Sequence, residues 1–265
     1  MSKERAGGEP MISSSMAESQ TIRVDARALS HRELNAKLRE LTSNGANRIE
    51  LHNVYGQRYI GTDLGKPVRI DIFGTPGNDL GAFMHGPRIV VHGNAQDGCG
   101  NTMDDGEIIV HGHAGDILGL SARGGKIFIK EDVGYRAGIH MKEYQDKRPV
   151  AVIGGTAQDF LGEYMAGGIL VVLGLNLKEG EEHKASFIGT GMHGGAIYIR
   201  GEVQPFQLGK EVGVAELDEN DSSFLAKLVG EFASRFNYSA EDILQRKFTK
   251  LFPLYLRPYG RLYAY

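Results

Sequence analysis

Gly81-Ala-Phe-Met84, Gly100-Asn-Thr-Met103, Gly119-Leu-Ser-Ala122, Gly138-Ile-His-Met141, Gly162-Glu-Tyr-Met165 and Gly189-Thr-Gly-Met192 decide how this chain folds. Their glycines are spaced by 19, 19, 19, 24 and 27 residues. Methionine stands three residues after each glycine except Gly119, where Ala122 takes its place, and every other methionine lies in the first 16 residues. Local propensity does not generate such spacing. One backbone bend recurring once per coil of a solenoid does.

The strands keep the same ruler. Aligning Arg88–His92, Glu107–His111 and Lys126–Lys130 puts Ile89 and Val91 over Ile108 and Val110, then over Ile127 and Ile129. Ala151 and Ile153, Leu170 and Val172, and Ile197 and Ile199 continue the series, and Ile70 and Ile72 precede it. Spacing of i, i+2 directs both side chains to one face of a strand, and β-branched residues suit a buried one. The spacing leaves no room for a helix between glycines, which excludes βαβ units, and the leucine and asparagine consensus of leucine-rich repeats is missing. The expected architecture is an all-β solenoid: a right-handed parallel β-helix of about seven coils, roughly 30–35 Å tall at ~4.8 Å per strand layer. Short N- and C-terminal helices complete it.

Residues 1–20 read as a flexible lead, with Met11 and Met16 as alternative starts, and residues 21–48 as a strand and helix cap. Ser30 and Glu33 have capping-box spacing, which starts a helix that ends near Ser43, before Gly45. The β-helix occupies 49–215, interrupted by loops at Lys142–Arg148 and Lys178–Lys184. A helical tail fills 216–265: Phe224, Leu225, Leu228, Val229 and Phe232 share one helix face, and Ser239 caps a second, shorter helix. These helices are expected to cover the solenoid's ends, whose strand edges otherwise invite aggregation.

Composition narrows the function. A net charge of −3 without a Lys/Arg run gives no reason to expect nucleic acid or an anionic membrane surface as a partner. The longest apolar run, Ile169–Leu175, is too short to span a bilayer. Met1–Gln20 has no hydrophobic segment of the kind a secretory signal needs, so the expected location is cytoplasmic. The single cysteine, Cys99, provides neither a disulfide framework nor the ligands of an iron–sulfur cluster made by this chain alone.

No catalytic, cofactor-binding or metal-binding set is expected. Gly189-Thr-Gly-Met-His-Gly194 is formally G-x-G-x-x-G, but it precedes a strand and coincides with the repeat, whereas a dinucleotide site opens a helix. His92 and His111 share a repeat position with His113 nearby, a zinc-like grouping, but Lys130 follows in the same column. Asp97, Asp116 and Asp159 share another position, with Asn78 one coil earlier, and are expected to accept N–H bonds within their own turns. Cys99 reads as a buried structural thiol.

A surface draws more attention. The residues between the inward pairs point outward, yet they read Val90, Ile109, Phe128, Val152, Val171 and Tyr198. Either the chain's own helices or a partner must cover an apolar stripe of that length. The sequence expectation is a partner interface, with burial across a two-fold axis of a homo-oligomer as the competing one. Two segments rich in charge, aromatics and tight turns are added as docking candidates: Gly134–Tyr144, with Tyr135, Arg136, His140, Lys142, Glu143 and Tyr144, and Asp159–Gly168, with Glu163 and Tyr164.

Asn53-Val-Tyr-Gly-Gln-Arg-Tyr-Ile-Gly61, Gly74-Thr-Pro-Gly-Asn78, Gly93-Asn-Ala-Gln-Asp97 with Gly100-Asn-Thr-Met103, Gly134–Tyr144 and Asp159–Gly168 resemble the glycine-rich GXGXG domain at the C-terminus of the glutamate synthase alpha subunit. The similarity spans about Ile49–Gly201. It continues more weakly through Ser239–Leu244 and Phe248–Pro253. The resemblance implies a right-handed β-helix without catalytic residues, which holds together an amidotransferase and an FMN and iron–sulfur partner that reductively aminates 2-oxoglutarate. Similar β-helices occur as the third subunit of archaeal-type glutamate synthase, in N-methylglutamate synthase and in one of the subunits of formylmethanofuran dehydrogenase. Phe160, the 178–184 insertion and the terminal Tyr255, Tyr259, Tyr263 and Tyr265 depart from the family's pattern, which leaves the parent complex open.

Overall fold

A computed structural model describes residues 21–256. In chain order it holds β1 (Ile22–Asp25), α1 (His31–Ser43), β2 (Arg48–Tyr55), β3 (Arg69–Thr75), β4 (His85–Val91), β5 (Asp105–Val110), β6 (Lys126–Ile129), β7 (Val150–Ile153), β8 (Ala166–Val172) and β9 (Gly194–Arg200). These are followed by β10 (Val212–Ala215), α2 (Glu219–Phe236), α3 (Ala240–Leu244) and β11 (Phe248–Pro253). Strands β1 to β9 pair in sequence order, all parallel, and β11 returns antiparallel on β9 with β10 outside it. The register runs Ile70, Ile89, Ile108, Ile127, Ala151, Leu170, Ile197, the column that the spacing predicts. The fold is a parallel β-solenoid around one core that stretches from Val24 to Leu251. The lead expected over 1–20 and the tyrosines beyond Tyr255 lie outside the described residues.

The recurring bend has a fixed backbone grammar. The glycine and the residues two before and two after it all have positive φ: Asp79, Gly81 and Phe83 in one turn, Arg136, Gly138 and His140 in another, Phe160, Gly162 and Tyr164 in a third. Tyr59, Gly61 and Asp63 make a further copy ahead of the six read from the sequence. Alternation of the left-handed conformation turns successive N–H groups in opposite directions along the solenoid axis. Gly100 N–H donates to the Leu80 carbonyl of the preceding turn at 2.8 Å, while Thr102 N–H donates to Leu120 of the following turn at 2.7 Å. The bend is therefore stitched to both neighbours, which answers the requirement that buried backbone groups be paired. Residues just before the glycines, such as Leu80, Cys99, Leu118 and Leu161, point inward and are buried.

α1 begins at Ser30, whose hydroxyl accepts from Glu33 N–H while the Glu33 carboxylate returns to the Ser30 N–H, a complete capping box. It buries Leu34 and Leu38 in the core of the first turns.

α2 overturns one expectation. It lies along the flank of the solenoid, not over an end, and Leu225, Leu228, Val229, Phe232 and Phe236 pack on the stripe formed by Val90, Ile109, Phe128, Val152, Val171 and Tyr198. All six stripe residues are at most 4 % exposed, so the stripe is no partner surface. The dimensions explain the fit: 18 helical residues span ~27 Å, and six strand layers span ~24 Å. Polar contacts pin both helix ends. Asp221 accepts from the Tyr198 hydroxyl at 2.7 Å and pairs with Lys250 at 2.6 Å. Near the other end Arg235 pairs with Glu107 and lies 4.1 Å from the Phe128 ring centre, and Glu231 pairs with Lys126 at 2.7 Å. The far end of the solenoid is finished by antiparallel β11 and β10 instead.

Candidate functional site

The edge of the solenoid along which the bends stack is accessible. Left-handed residues two before and two after each glycine throw their side chains outward there, so one turn places its side chain above that of the turn before. Arg136 is followed by Phe160 and Phe187: the guanidinium lies 4.7 Å from the Phe160 ring centre, and the two rings stack at 5.0 Å and 11°. On the other side of the glycines His140 stacks on Tyr164 at 5.5 Å and 11°. Tyr135, Tyr164 and Phe187 remain 47 %, 48 % and 53 % exposed.

The structure separates the docking candidates. Tyr135 and Arg136 lie on this edge before the bend glycine and His140 and Tyr164 after it, where only His140 and Tyr164 stack on one another. Glu163 is buried and pairs with Arg136, which it holds against Phe160, so it positions a neighbour and offers no contact of its own. Lys142, Glu143 and Tyr144 enter the 142–148 insertion, a small hairpin closed by the Tyr144 and Lys147 backbones. Glu143 pairs with Arg148 at 2.7 Å there, and the Tyr144 ring faces Arg123 at 5.8 Å. Three exposed rings, Tyr59, Phe83 and Phe187, were not docking candidates in the sequence reading, although all occupy the positions two from a bend glycine that Tyr164 and Phe160 mark.

The histidine column is an aromatic ladder. His52, Phe73, His92 and His111 stack at 4.6, 4.5 and 5.5 Å with interplanar angles no larger than 11°, and Phe236 closes the ladder edge-on at 5.2 Å. Stacked imidazoles present faces, not converging nitrogens, to one another. No grouping of three or more His, Cys, Asp or Glu suited to a metal ion occurs among the described residues. His92 Nε2 is 3.1 Å from Asp71, a buried carboxylate that Arg69 also grips at 2.7 and 2.8 Å. Burial first, then His92 and Lys130, push the His111 pKa down.

The aspartate column also differs from expectation. Asp97 accepts from Asp116 N–H at 2.9 Å, Asp116 from Tyr135 N–H at 2.8 Å and Asp159 from Ser186 N–H at 2.8 Å. Each bond therefore reaches the next turn instead of closing its own. The stretch 178–184 is not wholly a surface loop, because His183 is buried, with Nε2 3.2 Å from the Arg200 carbonyl oxygen. Burial pushes the Cys99 thiol up to about 12, which leaves it an unreactive core side chain.

The left-handed alternation through residues such as Gly98-x-Gly100-x-Thr102 is a glycine-permissive pattern with period two, the pattern a GXGXG motif spells. The GXGXG motif family matches residues 20–257. This chain belongs to that family, the domain type of the glutamate synthase alpha subunit. An uncharacterized protein of Methanocaldococcus jannaschii is 51 % identical over 249 residues, which cover 91 % of this chain and 95 % of that one. No helix among the described residues is long and apolar enough to cross a membrane.

Proposed function

We propose that the protein is a scaffold subunit of a glutamate-synthase-like oxidoreductase complex, without catalytic residues of its own, and that it docks amidotransferase and FMN and iron–sulfur partners. The observation that carries this reading is the family match over residues 20–257, which makes nearly all of this chain the β-helical domain. The chemistry of the surface supports it. The acid–base groups that first suggest a site, His92, His111, Asp97 and Asp116, are engaged in ring stacking or in hydrogen bonds that tie turns together. The exposed rings of the bend edge are of the kind that interfaces favour.

The test is purification of the tagged chain from its own cells under native conditions. Stoichiometric amidotransferase and flavin-containing iron–sulfur polypeptides are expected with it, and the assembly, not the isolated chain, should make glutamate from glutamine and 2-oxoglutarate. Turnover by the isolated chain would overturn the proposal.

A further inference from the structure

The 178–184 insertion, the turn that leaves β9 and the start of β11 enclose a cavity of about 360 Å³, within the size range of small-molecule sites. Its walls hold groups that the rest of the fold does not use. Gly201, at φ +113°, lets the Arg246 guanidinium lie across its backbone: a side-chain carbon there would stand 3.0 to 3.2 Å from three guanidinium atoms. Arg246 makes no hydrogen bond or ion pair among the described residues. A guanidinium rested on a backbone in this way keeps its N–H fork free for a carboxylate.

His183 lines the same cavity, although its side chain belongs to a residue only 6 % exposed. Its Nε2 donates to the Arg200 carbonyl, which places the proton of the neutral ring there and leaves Nδ1 a bare acceptor. Burial first, then Arg246 and Arg200, hold its pKa below 6.5 against the raising effect of that bond. The ring is therefore neutral near pH 7. Nδ1 makes no hydrogen bond among the described residues, yet it is not sealed from the surface. An unpartnered acceptor on a buried side chain thus opens on the cavity that His183 lines.

Charge narrows the ligand. Lys247 is paired with Glu216 at 2.6 Å, which leaves Arg246 as the one unpaired cation among the lining residues. Glu181, Glu182 and Glu202 line the cavity as well and join no ion pair among the described residues. A plain anion would face those three carboxylates, and a plain cation would leave Arg246 and its N–H fork unanswered. We infer that the cavity binds a basic amino acid, with its carboxylate on Arg246 and its amino groups on His183 Nδ1 and the glutamates. The site requires no other subunit, so it stands or falls independently of the scaffold reading.

Isothermal titration of the full chain with L-lysine and with L-arginine tests this. Saturable one-to-one binding of at least one of them is expected, about tenfold tighter than that of L-glutamate or of cadaverine and agmatine, the matching amines without a carboxylate. Arg246 and Glu202 are exposed, so Arg246→Gln and Glu202→Gln should keep the wild-type urea midpoint while each weakens binding about tenfold. Absence of saturable binding by both amino acids overturns the inference. So does equal binding of the two amines, which would reduce the cavity to a general attraction for cations. Tighter binding of L-glutamate, or an unchanged affinity in Arg246→Gln, overturns it too.

Discussion

The bend glycines are not equivalent, and the inequality is set by what faces them. A side-chain carbon on Gly138, at φ +75°, would stand 2.5, 2.9 and 3.1 Å from three carbons of Leu170. On Gly119, at φ +63°, the nearest atoms would be 3.6 and 3.7 Å away, ordinary contact. The register explains this: Ala151 fills the column that Ile108, Ile127, Leu170 and Ile197 fill elsewhere. Gly119→Ala should therefore lose about 1–2 kcal/mol for the left-handed backbone alone. Gly138→Ala should lose a further ~1–3 kcal/mol from overpacking. Urea midpoints of the two variants check the order, and equal losses would contradict the register.

The one break in the methionine rule has a similar cause that the sequence hid. Methionine Cε atoms lie close above glycines of the next turn, Met103 over Gly125 and Met165 over Gly195, where an added carbon would stand 2.3 and 2.7 Å away. Pro149 takes the glycine's place before Val150, as Gly125 does before Lys126. A ring there leaves room only for Ala122. Spacing alone revealed the columns, but not which residue of one column touches which of the next.

At the scale of elements, α2 shows where sequence reasoning stopped short. Its apolar face and the outward stripe were both legible as periodic patterns of side chains. That one covers the other depends on matching lengths and on Asp221 and Arg235 at its ends, contacts about 20 and 130 residues apart in sequence. Periodicity carries no information about such pairs. Phe232 is fully buried between the stripe and Phe236. Phe232→Ala should cost about 3–5 kcal/mol and loosen α2 from the apolar stripe it covers. A fall in the urea midpoint accompanied by binding of an apolar dye checks this, and a near-wild-type midpoint would mean that α2 is not holding the stripe.

For the whole molecule, acid should act in two stages. His111 and His183 both have folded pKa values below 6.5, burial being the largest cause for each. The unfolded chain therefore binds more protons as pH falls through that value, and stability present above it is lost below it. Asp71, Asp132 and Asp221 come next. Burial alone would raise them, but Arg69, Thr156 and Lys250 respectively lead the hydrogen bonds that bring each below 3.8. Their contribution holds above 3.8 and disappears as the carboxylates protonate. The urea midpoint should decline between about pH 7.5 and 5.5 and again below about pH 4. His111→Phe, which preserves the ladder, should flatten part of the first decline, and a wild-type midpoint constant across that first interval would refute the assignment.

A structure made by repetition has no internal reason to stop at a given height, because every turn offers the next the same edge. The flanking helix supplies that reason here. Duplicating one 19-residue unit, Gly100 to Leu118 for instance, would lengthen the wall by a rung while the rod laid against it stayed the same. One greasy rung would then face water, or the rod's two polar anchors would no longer both reach. The helix thus serves as a gauge that rejects miscounted copies, and lineages that vary the number of turns should be found to resize it in step.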